Sequence, residues 1–121
     1  MAKIIDLPTM NDSRGSLTVI EKVIGFDIKR VYYIYNTDKE KRGGHRHKKT
    51  QQLLVSVHGS CDVFCENSTG KNEIFALDIP SKGLLVDCDD WHIMENFSAD
   101  CVLLVLASEY YDADDYISER Y

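Results

Sequence analysis

Residues 28–35 read Ile-Lys-Arg-Val-Tyr-Tyr-Ile-Tyr, a run rich in β-branched and aromatic side chains. Such residues suit a pleated, half-buried surface, so the run predicts a strand. Side chains alternate between faces along a strand, so Tyr33 and Tyr35 share one side, and Arg30, Tyr32 and Ile34 share the other. The same period continues outward from it: residues 16–21, 53–64 with Gly59 as a turn or bulge, 73–77, 84–87, 91–95 and 101–108 all read as strands. Asn67-Ser68-Thr69-Gly70-Lys71-Asn72 and Pro80-Ser81-Lys82-Gly83 carry turn chemistry between them. Only the tail, residues 112–119, reads as briefly helical. Many short strands without βαβ alternation or internal repeats predict an all-β sandwich or barrel, one domain over residues 1–121.

Composition narrows the function classes. The chain has 121 residues, 44% hydrophobic and 28% charged, the balance of a single globular domain. A formal charge of −6 argues against nucleic-acid binding. The longest apolar run, Cys101 to Ala107, is far short of the roughly 20 residues of a membrane-spanning helix. No apolar stretch of signal-peptide length opens the sequence, so a cytoplasmic location is expected. Cys61, Cys65, Cys88 and Cys101 form no CxxC pair and read as reduced thiols in the core.

The charge is unevenly spread. Residues 39–49, KEKRGGHRHKK, set Lys39, Lys41, Arg42, Arg46, Lys48 and Lys49 against one acid, Glu40. Cations beside titratable groups suit an anionic small molecule such as a phosphate ester. In a strand His45 and His47 project from one face. Gln52 and Gly59 follow, and His92 comes after the Pro80/Gly83 turn. This spacing resembles the two motifs of the cupin superfamily, a jelly-roll β-barrel whose metal-binding members hold an ion with the paired histidines, a glutamate and the later histidine. Here the glutamate position is Gln52, which removes a negative charge while cations surround the segment. The expectation is therefore no metal, with the histidines free for acid–base work.

A closer resemblance covers nearly the whole chain. DSRGSLTVIE (12–21), IKRVYYIYNT (28–37), RGGHRHKKTQQ (42–52), DDWHIMENFSADCVLLVLAS (89–108) and YYDADDYI (110–117) are similar to the sugar-nucleotide 3,4-ketoisomerases and their WxcM-like relatives. The resemblance implies conversion of thymidine-diphosphate-linked 4-keto-6-deoxyglucose to the 3-keto sugar through an enediolate, for deoxyamino sugars of surface polysaccharide. It implies neither metal nor redox cofactor. By motif position His47 is the expected base at carbon, His45 assists it, and Tyr33 shuttles a proton between sugar oxygens. Arg14, Arg42 and Arg46 are the phosphate candidates, and Tyr35, Gln52, Trp91 and His92 are further candidates for holding substrate. A homodimer is expected, with the N-terminal strand, opening Ile4-Ile5-Asp6-Leu7, crossing to the partner. A metal-dependent cupin enzyme, a non-catalytic sugar-nucleotide-binding module and an epimerase of the same fold are the rivals.

Overall fold

The computed structural model describes residues Met1–Tyr121. Twelve strands follow one another: β1 Lys3–Asp6, β2 Thr9–Asp12, β3 Gly15–Thr18, β4 Arg30–Ile34, β5 Arg42–His47, β6 Gln52–His58, β7 Cys61–Glu66, β8 Asn72–Leu77, β9 Lys82–Val86, β10 Trp91–Glu95, β11 Val102–Ala107 and β12 Tyr116–Ile117. They form two five-stranded sheets, ordered β1-β9-β6-β11-β4 and β12-β5-β10-β7-β8, while β2 and β3 pair only with each other. The fold is all-β as expected, but the sheets face one another as a cupin-like sandwich and do not close into a barrel. The expected C-terminal helix reduces to one 3-10 turn, Ala113–Asp115, before the chain extends as β12 against β5. No helix is long and apolar enough to cross a membrane.

Period-two patterning builds the core. Leu54, Leu84, Leu103 and Val105 from the first sheet meet Val63, Cys65, Phe75 and Met94 from the second, in one buried cluster. A smaller cluster around Leu53, Val55 and Leu106 lies on the outer face of the first sheet, beneath Leu7 and Ile24. Gly59, at φ +68°, turns the chain from one sheet to the other; a Cβ there would lie 2.7 Å from the Cα of Cys101. Cys61, Cys65 and Cys101 are buried and Cys88 is half-buried, all as free thiols.

Pairing fixes which face each residue takes. Tyr32 lies opposite Val105 and Ile34 opposite Leu103, so Arg30, Tyr32 and Ile34 point into the sandwich while Val31, Tyr33 and Tyr35 point out. On β5 the register slips against β10: His45 pairs with His92 but Gly43 pairs with Ile93, leaving Gly44 as the extra residue of a bulge. Gly43 and Gly44 take φ +88° and +78°, a region that disfavours any side chain. The extra residue reverses parity, so Arg42 pairs with Met94 and joins His45 and His47 on the inward side.

Gly43 has a second constraint, because an added Cβ would meet the His92 carbonyl oxygen at 3.0 Å, whereas at Gly70, φ +83°, it would meet nothing. Gly70→Ala is therefore expected to cost about 1–2 kcal/mol from backbone strain alone. Gly43→Ala should cost measurably more in urea denaturation; equal losses would show that the bulge yields freely.

Candidate functional site

The apolar core stops short of one end of the sandwich. There β5 contributes His45 and His47, β10 contributes His92, and the facing sheet contributes Arg30 and Tyr32 from β4 and Gln52 from β6. The imidazole centroids lie 5.0 Å apart for His45–His47, 5.1 Å for His45–His92 and 6.1 Å for His47–His92. One potential ligand nitrogen from each ring lies within 4.8 Å of the others. Tyr116 from β12 packs its ring 4.8 Å from His45 and 4.7 Å from His47. A cavity of about 280 Å³ opens beside this cluster, lined by Arg30, Tyr32, Ile34, Arg42, Gly43, His45, Met94 and Tyr116.

Hydrogen bonds fix the protons. His92 Nδ1 lies 3.0 Å from the Asp90 carbonyl, which can only accept, so Nδ1 carries the hydrogen and Nε2 holds the lone pair. His47 Nδ1 donates to Asp115 Oδ2 at 2.9 Å, leaving a buried Nε2 with no partner. Asp115 is held in turn by the Lys49 amide and the Thr50 hydroxyl. Burial works to raise the Asp115 carboxyl, but these donors together with His47 outweigh it and hold the group below its ordinary range. Burial, with a smaller push from His47, brings His45 down to about 4 against a hydrogen bond to Gly43. Burial likewise brings His92 to about 3 and lowers His47, where Arg30 adds to it and Asp115 opposes it. All three rings are neutral at pH 7. Tyr32, raised mainly by burial, remains a phenol, and its hydroxyl accepts from Gln52 Nε2 at 3.2 Å.

The three histidines have the spacing of a cupin metal site, and the donor chemistry tests the fit. The fourth position is Gln52, a neutral amide whose nitrogen is committed to Tyr32 and whose oxygen is buried without a partner. Asp115 is engaged behind His47, and Arg30 and Arg42 share the adjoining cavity. Three imidazole nitrogens thus converge without a carboxylate among them, and two guanidiniums share the adjoining cavity, so the set offers a divalent cation ligands but no compensating negative charge.

The structure sorts the other sequence-predicted residues. Arg42, Gln52, His45, His47 and His92 converge as expected. Tyr33 and Tyr35 do not: they are 61% and 57% exposed, stacked on each other at 5.7 Å on the outer face of β4. Arg14 sits at the tip of the β2–β3 hairpin, held by Asp12. Arg46 and Trp91 face outward and fasten the tail. Arg46 Nε donates to the Glu119 carbonyl and its guanidinium lies 4.5 Å from the Tyr121 ring; Trp91 Nε1 donates to the Ser118 carbonyl. Arg120 completes the strap by bonding Glu66 at 2.7 Å and lying over Phe64 and Trp91. Arg30, Tyr32, Asp115 and Tyr116 join the cluster without being among the sequence candidates; the strand parity that puts Arg30 and Tyr32 on one face is the signal for two of them.

The lowered histidines have a sign. Each binds a proton less readily folded than unfolded, so from about pH 6.5 downward the unfolded chain takes up more protons and stability falls, by at most about 1.4 kcal/mol per pH unit per ring. Thermal midpoints are expected to drop between pH 6.5 and 4.5, with a shallower slope in His45→Asn; an unchanged slope would mean that His45 does not carry the effect.

Comparison with known proteins agrees with this geometry. A family model described as FdtA: WxcM-like, C-terminal, matches residues 1–121. A TDP-4-oxo-6-deoxy-alpha-D-glucose-3,4-oxoisomerase of Aneurinibacillus thermoaerophilus is 51% identical over 120 residues, 97% of this chain and 86% of that one. A histidine-to-asparagine variant of the 3,4-ketoisomerase QdtA from Thermoanaerobacterium thermosaccharolyticum, in complex with TDP-4-keto-6-deoxyglucose, superposes with TM-score 0.92 at 43% identity, covering 98% of this chain and 87% of that one. The WlaRB TDP-quinovose 3,4-ketoisomerase of Campylobacter jejuni gives TM-score 0.92 at 44% identity, covering 98% and 92%. With a match along its whole length, this chain belongs to the FdtA, WxcM-like family.

Proposed function

We propose that this protein is a sugar-nucleotide 3,4-ketoisomerase that converts dTDP-4-keto-6-deoxyglucose to the dTDP-3-keto-6-deoxyhexose. The observation that carries the reading is a cavity holding an uncharged imidazole, two phenols and two guanidiniums, backed by two further neutral imidazoles. The names of the 51% relative and of the substrate-bound QdtA variant support the same substrate.

His45 is the base, because it is the one histidine that lines the cavity; His47, with its side chain 2% exposed, lies behind it. This exchanges the roles given from motif position. His45 takes the C3 proton, the C–H electron pair forms the C3–C4 double bond, and the C4 carbonyl becomes an oxyanion. The phenol of Tyr32, in place of Tyr33, passes a proton from the C3 oxygen to the C4 oxygen. The C3 carbonyl then forms and His45 returns a proton to C4. Asp115 keeps the His47 lone pair aimed inward, toward the imidazolium that forms on His45. Arg42, on the cavity rim, meets the diphosphate.

The working unit is a homodimer. In an exchange of the N-terminal segment the β2–β3 hairpin crosses as well: it pairs only with itself and leaves Met10 and Leu17 exposed. A lone hairpin is marginal in water. A partner supplies an apolar face in Val31, Tyr33, Tyr35 and Val57, all exposed here. The enzyme works in the cytoplasm, where its product enters deoxyamino-sugar synthesis for surface polysaccharide.

NMR of dTDP-4-keto-6-deoxyglucose incubated in deuterated buffer should show the 3-keto product with deuterium at C4. His45→Asn should lower kcat by about 10²–10⁴, with TDP affinity held within a few fold. Tyr32→Phe should lower kcat strongly while Tyr33→Phe leaves it within about twofold. Full turnover in His45→Asn would overturn the assignment, and no product from the wild type would overturn the function. Light scattering should give twice the chain mass of 13.8 kDa, shifting toward monomer in Leu17→Glu; a monomeric wild type would remove the dimer.

A further inference from the structure

Proton removal from C3 places negative charge on an oxygen; the one ring that gains charge in that step is His45, the acceptor at carbon, while His47 and His92 stay neutral. Charge already in place before the proton moves must come from elsewhere. Two cations line the cavity, and they are held differently. Arg42 begins β5 at the exposed rim, where it also borders an outer groove with Tyr35 and Lys41. Arg30 points inward from β4 and is half-buried.

Arg30 is gripped without being neutralised. Its guanidinium lies 4.5 Å from the Tyr32 ring and 5.3 Å from the Tyr111 ring, and Nη1 donates to the Tyr116 hydroxyl at 3.4 Å. It takes part in none of the ion pairs, in contrast to Arg14 with Asp12 and Arg120 with Glu66. Aromatic faces orient a cation while leaving its full charge in place. A half-buried guanidinium with a fixed plane and no carboxylate partner is poised for an anion that arrives.

Resting on the ketoisomerase reading, we infer that Arg30 is a catalytic residue that receives the negative charge of the enediolate oxygen, leaving the diphosphate to Arg42. The step creates no new bond at Arg30: charge leaves the carbon, collects on oxygen and is met there by N–H donors already in position. The C-terminal segment takes part through Tyr111 and Tyr116, which hold the plane of the guanidinium.

The test compares Arg30→Gln and Arg30→Lys with the wild type on dTDP-4-keto-6-deoxyglucose, with TDP affinity measured by calorimetry. Arg30→Gln is expected to lower kcat by about 10²–10³ and to slow exchange of the C3 proton in deuterated buffer equally, while TDP affinity stays within about threefold. Arg30→Lys should recover part of the loss, and added guanidinium should partly restore an Arg30→Ala variant, which a merely misfolded protein would not show. A kcat within about fivefold of wild type in Arg30→Gln overturns the inference. So does a large loss of TDP affinity with kcat retained, which would make Arg30 a phosphate ligand. Both outcomes leave wild-type isomerisation standing; a wild type without turnover brings down the functional reading and this inference together.

Discussion

Three imidazoles share one end of this β-sandwich, and at rest none of them is charged. Burying an unpaired cation costs far more than the few kcal/mol that hold a small domain folded, and three adjacent cations would add mutual repulsion. The arrangement solves this through its acceptors. The Asp90 carbonyl takes the hydrogen of His92, and Asp115 takes that of His47, so both rings present lone pairs to the interior. A cluster of lone pairs is a place for a proton to go, and burial, joined at His47 by Arg30, keeps that place empty until substrate brings one.

Position along the chain bears little relation to position in the site. His45 and His47 are neighbours in sequence, yet one faces the cavity and the other lies behind it. The bulge at Gly44 carries Arg42 onto the inward side, where simple alternation would have put it outside. One extra residue, affordable only because two glycines accept positive φ, thus sets the number of cations at the cavity.

The alternation of residues 28–35 was enough to read the all-β fold and to divide β4 into two faces, but not to say which face was inside. That depends on Leu103 and Val105, some seventy residues later, packing behind Ile34 and Tyr32. Tyr32 and Tyr33 are for that reason indistinguishable as pocket residues in the sequence. Asp115 was hidden for a similar reason, being 68 residues from His47 in a tail that looked weakly helical. Arg46 and Trp91 carry chemistry that suits a ligand equally well, and only the path of residues 118–121 over the outer surface shows that their ligand is the chain itself. The paired histidines, Gln52 and Arg42 were legible because their types and spacing restrict what they can do wherever they sit.

Asp115, Tyr111 and Tyr116 all come from a segment whose regular structure amounts to one turn and a two-residue strand. The sandwich core scarcely depends on it, since the buried apolar cluster draws none of its members from residues 110–121. The same ribbon is nevertheless stitched to the histidine strand, since β12 pairs with β5 and Asp115 takes the hydrogen of His47. A change at Tyr111 reshapes the surroundings of Arg30 and leaves the core alone, whereas a change at Asp115 reaches the imidazoles directly.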